Sequence, residues 1–406
     1  MTSRARGVLW VSSPPAPDVS PQTPVLGVAL ARRVAIVAER AGFSRILFAD
    51  APGLSEALAG TTAERVAREE RPFDAGGPAR LVVLRFGVLP TAGFLRALLA
   101  APPESGHSPD SSDGGEASAL SVYDVPRSDE AVEHLARSAG AGDEARRTPG
   151  ASPVAWRDVA GAADLIELST RAGLPAVETR LLQSLIKDTE GFFSRHFNRR
   201  ISLAVTRRLA STGMTPNLMT GVSVAVGLAG APFFASSQPR FQFAGALLFL
   251  LHSILDGCDG ELARLKFQES RLGGILDFWG DNVVHCAVFA SLAAGWSRDA
   301  ADARPLVAGA MAIAGTLLSA GFVARYAMGG AADRPQFTSV TRRAQSRLSR
   351  FADMLARRDF IYLVVLLSAF GKARWFLSMA AIGAPLFFLA LLTIEASGRR
   401  LGRDLP

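Results

Sequence analysis

The chain is nearly free of lysine and cysteine. Three of its 44 basic residues are lysine, and Cys258 and Cys286 are the two cysteines among 406 residues. Two cysteines cannot build a disulfide framework, and neither belongs to a Cys-x2-Cys or Cys/His spacing, which excludes secreted scaffolds and zinc modules. Both lie in apolar or motif surroundings, where cysteine acts as a small packing residue. A formal net charge of +7 would suit nucleic acid. However, the arginines gather beside apolar runs, a distribution that points to membrane topology and away from a nucleic-acid partner. The N-terminal MTSRARGVLWVSSPPAP has no apolar core of signal-peptide length, because Pro14, Pro15 and Pro17 interrupt it. No secretory cleavage is expected.

The chain has two unlike halves. Before about residue 190, Pro, Gly, Ala and acidic residues separate short apolar runs; after about residue 215, apolar stretches recur that approach the roughly 20 residues needed to cross a bilayer. The expected fold is therefore a soluble α/β N-terminal domain followed by an all-α polytopic membrane domain of six transmembrane helices. In the first half, residues 25–48 read as an amphipathic helix stopped by Gly42 and followed by a strand over 45–48. A second strand over 79–84 leads into a helix around 92–100, an alternation that suggests a small α/β layer. Residues 101–118 and 138–152 are poor in apolar anchors and read as exposed loops.

Residues 181–214 mark the transition. From Asp188, the side chains Phe192, Phe193, Phe197, Ile201, Leu203, Val205 and Leu209 interleave with Arg195, Arg199, Arg200, Arg207 and Arg208, giving an apolar and a basic side at helical spacing. Such a helix is expected to lie in the membrane interface with its arginines near anionic headgroups or a bound phosphate. Six apolar spans follow, over about 218–235, 241–255, 275–296, 306–327, 360–370 and 375–394. With the N-terminal half on the cytoplasmic side, Arg207, Arg208, Arg264, Lys266, Arg271, the basic 325–358 loop, Arg399, Arg400 and Arg403 all lie inside, which satisfies the positive-inside bias. His252 and His285 fall on apolar faces and are expected to be packing residues, with Arg325 and Tyr326 as interfacial anchors.

The second and third spans meet at an acidic constellation. Asp256 and Asp259 are three residues apart, Asp277 and Asp281 four apart, so each pair faces one way on its helix. A connection of about a dozen residues between the spans lets the two helices run antiparallel and bring all four carboxylates together near the cytoplasmic boundary. Four converging, partly dehydrated anions cost several kcal/mol unless cations neutralise them. Carboxylate oxygens with no histidine or thiolate expected nearby favour a hard ion such as Mg²⁺, with Mn²⁺ as the alternative. Gly260, Ala263 and Gly273 remove bulk where helices approach or a ligand enters. Arg264, one turn beyond Asp259, suits a phosphate oxygen.

The pattern D-x2-D-G-x2-A-R-x8-G-x3-D-x3-D, from Asp256 to Asp281, resembles the signature of the CDP-alcohol phosphatidyltransferase family. The resemblance implies a six-helix membrane transferase that moves a phosphoalcohol group from a CDP-alcohol to an acceptor alcohol with release of CMP. It implies two divalent ions held by Asp256, Asp259, Asp277 and Asp281, with Asp281 also the catalytic base. Gly260, Ala263, Arg264 and Gly273 would border the CDP moiety, as would Thr215 and Asn217 in the Thr-Pro-Asn ahead of the first span. The stretch from Leu181 to Asp281 is further similar to the transferase half of di-myo-inositol phosphate phosphate synthases, making Lys187, Arg195, Arg199 and Arg200 candidates to hold an acceptor phosphate. The implied role is inositol-phosphate or phospholipid biosynthesis in the cell inner membrane, with a CDP-alcohol donor, an alcohol or phosphoalcohol acceptor and the bilayer as partners, and room for a homodimer. Residues 21–48 are similar to sugar-phosphate nucleotidyltransferases, but VLWVSSPPAPDVS stands where their Gly-rich loop should be, and Leu84-Arg85-Phe86-Gly87 where a metal-binding Asp is kept. The expected N-terminal domain, 1–180, is thus a degenerate, inactive relative, followed by the 181–214 helix and a 215–398 transferase domain. The rival class is a non-catalytic transporter or scaffold retaining a metal-binding acidic cluster. Transporters carry discontinuous apolar segments in two corresponding halves, whereas the acidic residues here cluster at a single helix pair.

Overall fold

The computed structural model describes residues 6–12, 18–66, 79–101, 120–125, 152–153, 159, 165–186, 197–327 and 360–401. The chain divides into two compact units, Met1–Gln183 and Ser184–Pro406.

The first unit is built on a six-stranded sheet with strands β1 (Arg6–Val11), β2 (Arg45–Ala49), β3 (Glu64–Val66), β4 (Ala79–Leu84), β5 (Leu120–Val125) and β6 (Ser152–Pro153), in the spatial order β3-β2-β1-β4-β5-β6. β1 pairs in parallel with both β2 and β4, with Leu9 opposite Ile46 and Val82, and β5 and β6 add antiparallel strands. Parallel neighbours need crossover connections, which α1 (Leu30–Ala41) and α2 (Leu54–Ala57) supply before β4, followed by α3 (Ala92–Ala100). Leu9, Val11, Ile46, Phe48, Val82 and Leu84 alternate onto one sheet face and pack with Leu30, Val34, Ala38, Phe94 and Leu98 of the helices. Gly42 ends α1 in a left-handed conformation at φ 94°, its N–H returning to Ala38 O and Glu39 O. The start of α1 differs from the sequence expectation. Residues 24–29 form a tiny antiparallel hairpin instead of helix, because Leu26 (φ 48°) and Gly27 (φ 77°) make a turn of the mirror-image kind. Buried Arg33 locks that hairpin by donating from Nη2 to Val25 O at 2.9 Å. Burial pulls its guanidinium down to about 10, opposed by the charge of Glu178. Most of the expected loops at 101–118 and 138–152 lie outside the described residues. A last helix, α4 (Leu174–Gln183), completes the unit.

The second unit is helical: α5 (Arg199–Ala210), α6 (Pro216–Gly230, extended by a 3₁₀ turn over Ala231–Ala235), α7 (Pro239–Lys266), α8 (Arg271–Ala300), α9 (Arg304–Ala327), α10 (Phe360–Ala369) and α11 (Ala373–Leu401). Among the described residues, four segments are long and apolar enough to cross a membrane: Pro216–Ala235, Pro239–Lys266, Arg304–Arg325 and Ala373–Ala396. α8 is as long but carries Asp277 and Asp281 along with charged ends, and α10 has ten residues, with 351–359 ahead of it outside the described residues.

Small residues decide where helices touch. A Cβ placed on Gly227 of α6 would stand 2.6 Å from Val284 Cγ1, and one on Gly280 of α8 would stand 2.6 Å from Val224 Cγ2. α6 therefore lies flush against α8, and its Gly230 meets Leu248 of α7 in the same way. The close approaches expected at Gly260 and Gly273 are of another kind. A Cβ on Gly260 would meet the Arg264 guanidinium at 3.6 Å, and one on Gly273 would meet Asn217 Oδ1 at 2.9 Å, so both glycines leave room for polar side chains rather than for a facing helix.

Candidate active site

Two helix ends frame the acidic motif. α7 continues through Asp256 and Asp259 until Phe267 turns left-handed at φ 58°, its N–H closing on Ala263 O. Ser270 then caps α8, its hydroxyl accepting from Gly273 N at 3.0 Å. The link between the motif helices is residues 267–270, shorter than the dozen residues that hydropathy suggests, because both helices continue past their apolar stretches.

Asp256, Asp259 and Asp277 converge. Each offers a carboxylate oxygen, and the three oxygens lie within 4.8 Å of one another. Asp256 and Asp259 are buried, with relative exposures of 4% and 5%, and Asp277 is half-buried. Thr220, one turn into α6, donates its hydroxyl to Asp259 Oδ2, so three helices meet at the cluster. Asp281 is outside that 4.8 Å group among the described residues. It faces His252, whose Nε2 lies 3.4 Å from Asp281 Oδ1. The other ring nitrogen, Nδ1, is 2.9 Å from Ser223 O, and since a carbonyl only accepts, Nδ1 carries the hydrogen. The structure thus brings three of the four expected ligands together and gives the fourth an imidazole neighbour. His252 and Asp281 also line a small cavity with Ser253, His285, Phe249, Phe360 and Ile361. His285 packs edge-on against Phe249, with ring centres 5.5 Å apart.

The other expected residues fall around this core. Thr215 caps α6, accepting from Leu218 N at 3.3 Å, and Asn217 stands against Gly273 across the motif link. Ala263 and Arg264 are half-buried on the last turns of α7. Of the expected phosphate-binding cations, Lys187 and Arg195 lie outside the described residues, Arg200 is exposed, and Arg199 is drawn to Glu261, with its Nη1 2.5 Å from Oε1. Three contributors escaped sequence reasoning: Thr220 and His252, which touch two of the aspartates, and Glu261, buried between motif positions. A polar residue at helical spacing from the motif was the available signal: His252 lies four residues before Asp256, on the same stripe of α7.

Residues 213–398 match the family model described as CDP-alcohol phosphatidyltransferase. This stretch is similar to CDP-alcohol phosphatidyltransferases over less than half of the chain. Among similar proteins is the bifunctional IPC transferase and DIPP synthase of Thermococcus kodakarensis, 40% identical over 128 residues, which are 31% of this chain and 28% of that protein. The phosphatidylinositol phosphate synthase of Mycobacterium tuberculosis is 32% identical over 117 residues, 29% of this chain and 52% of that protein. The matched stretch thus spans less than a third of the first relative's length and about half of the second's. The crystal structure of the Mycobacterium tuberculosis phosphatidylinositol phosphate synthase with CDP-DAG bound aligns at a TM-score of 0.33 with 24% identity, over 47% of this chain and 92% of that one.

Proposed function

We propose that this protein is an integral membrane enzyme that transfers the phosphoalcohol group of a CDP-alcohol to an acceptor alcohol and releases CMP. The observation that carries the reading is the convergence of Asp256, Asp259 and Asp277 from two helices, inside the segment that matches the family. Three carboxylates in a partly dehydrated place repel one another, and all-oxygen donors with two of three ligands buried fit a hard divalent ion. Mg²⁺ fits best, with Mn²⁺ as substitute and two ions as the expected number; Asp256, Asp259, Asp277 and Asp281 would hold them. When bound, such ions neutralise the pyrophosphate of the donor and align attacker and leaving group.

The remaining chemistry belongs to the side chains. The Asp281 carboxylate takes the proton of the acceptor hydroxyl as that oxygen bonds to the phosphorus bearing the donor alcohol. The bond from this phosphorus to the bridging oxygen breaks, and CMP leaves with that oxygen. His252, fixed by Ser223 O, stands beside Asp281, its Nε2 3.4 Å from Oδ1. Arg264 faces a phosphate oxygen, and Thr215, Asn217, Gly260, Ala263 and Gly273 border the cytidine. Arg200, with Lys187, Arg195 and Arg199, forms the basic approach for a phosphorylated acceptor.

The names of the relatives favour an inositol phosphate as acceptor. In this reading α8 and α10 complete six spans, the active site opens to the cytoplasmic face of the inner membrane, and two copies can pair. The N-terminal domain, 1–180, is a degenerate nucleotidyltransferase relative, joined through the interfacial segment 181–214 to the transferase at 215–398. The test is incubation of the purified full-length protein with Mg²⁺, CDP-inositol or CDP-diacylglycerol, and inositol or inositol phosphate, following CMP. Release of CMP that requires both donor and acceptor is expected. No release from any pairing with Mg²⁺ or Mn²⁺ would refute the proposal and favour a non-catalytic role.

A further inference from the structure

Glu261 is a wholly buried carboxylate that the transfer chemistry does not use. It sits on α7 two residues after Asp259, with a side-chain exposure of 0%. Oε1 accepts from Arg199 Nη1 at 2.5 Å and from Ser202 Oγ at 2.7 Å, and Oε2 accepts from Thr206 Oγ1 at 2.6 Å. All three donors come from one stripe of α5, at positions that share a helix face. The same stripe touches the motif turn directly. Cys258 Sγ lies 3.5 Å from Ser202 O, and a Cβ on Gly257 would stand 3.4 Å from Arg199 Nη1 and 3.8 Å from Ser202 Cβ. One turn further on, Lys266 Nζ donates to Thr212 O at 2.7 Å and Met214 O at 2.9 Å, fastening the link from α5 to α6.

The geometry of a helix makes this arrangement consequential. At 3.6 residues per turn, Glu261 points about 140° around α7 from Asp256 and about 160° from Asp259. One face of α7 therefore carries the ligands, and the opposite face carries Gly257, Cys258 and Glu261 against α5. A helix held on both faces cannot rotate about its axis without breaking charge-assisted hydrogen bonds that have no water to replace them.

We infer that Glu261 is a positioning residue. By accepting from Arg199, Ser202 and Thr206 it fixes the rotation of α7, and with it the aim of Asp256 and Asp259, so that divalent-cation affinity depends on a carboxylate that is not a ligand. The inference rests on the proposal that those aspartates bind a divalent ion. It also gives α5 a role other than displaying arginines at a surface: its buried side is the Ser/Thr side.

The test is Mn²⁺ binding to the full-length protein in detergent, read from the free-ion electron paramagnetic resonance signal, with a melting curve for each variant. Glu261→Ala is expected to weaken Mn²⁺ about tenfold, the scale of lost supporting contacts around metal ligands. Glu261→Gln, which keeps an acceptor for Arg199 and Ser202 and can donate to the Thr206 hydroxyl, is expected to restore affinity to within about threefold of wild type, roughly the 0.7 kcal/mol of a single neutral hydrogen bond. Ser202→Ala with Thr206→Val leaves the carboxylate in place and is expected to weaken Mn²⁺ as well; this pair carries the prediction if Glu261→Ala does not fold. Wild-type affinity in Glu261→Ala, or in the Ser202/Thr206 pair, with only a lowered melting temperature would overturn the inference. Equal losses in Glu261→Ala and Glu261→Gln would also overturn it, because charge alone would then explain the effect. A wild-type protein that binds no Mn²⁺ would instead refute the metal reading itself.

Discussion

Asp281 and Asp277 are one turn apart on α8 yet have different neighbours, and that difference separates their roles. Asp277 joins the triplet with Asp256 and Asp259, whereas Asp281 faces the imidazole of His252, whose tautomer is set by Ser223 O. If Asp281 is the proton acceptor, Asp281→Asn should lower kcat by at least about 100-fold, the usual scale for loss of a general base. At least one Mn²⁺ should still bind in that variant, because the triplet remains; a variant with wild-type kcat would remove the base assignment. Thr220 acts on the other side of the site, where its hydroxyl donates to Asp259 Oδ2. Thr220→Val keeps the shape and removes the donor, and is expected to weaken Mn²⁺ by about tenfold with little change in melting temperature. The aspartates were legible in the sequence because paired helical spacing and four like charges leave few structural explanations. Thr220 and His252 were not, since a lone hydroxyl or imidazole on an apolar face is usually a packing residue, and only the crossing of α6 with α7 and α8 shows what each one touches.

The elements were legible to different degrees for related reasons. Strand Arg45–Ala49, strand Ala79–Leu84 and helix Ala92–Ala100 fall where apolar periodicity places them, and the Gly42 stop is a left-handed cap. The hairpin over 24–29 was hidden because its turn uses Leu26, a residue that seldom adopts positive φ. α5 shows the limit of an amphipathic reading. Phe197, just ahead of it, and Ile201 are exposed, while Ser202 and Thr206 are buried where they donate to the Glu261 carboxylate. The contact of α6 with α8 rests on Gly227 and Gly280 rather than on the motif glycines. Gly227→Val should therefore wedge α6 away from Val284 and cost about 1–3 kcal/mol of stability. Adding Val284→Ala should recover part of the lost melting temperature; no recovery would show that the strain lies elsewhere.

At the scale of the whole molecule, an α/β unit precedes a helical unit that has, among the described residues, four segments fit to cross a membrane. That division follows from the change in apolar run length. The expected third and fifth spans are not among those four, since α8 mixes its apolar face with the acidic motif and α10 is short. With the basic segment between α9 and α10 on the cytoplasmic side, single cysteines introduced there should react with an impermeant maleimide in inverted vesicles and stay protected in intact cells; the reverse pattern would invert the orientation. If 1–180 is the proposed degenerate nucleotidyltransferase relative, the full chain should turn over preformed CDP-alcohol yet make none from CTP and an alcohol phosphate. The claim beneath all of this is that carboxylates from α7 and α8 grip a common divalent ion. Mn²⁺ titration of the purified protein beside Asp259→Asn and Asp277→Asn tests it most directly: saturable binding to wild type, abolished by either substitution although they lie on different helices, is the predicted result, and undiminished binding in Asp277→Asn would contradict it.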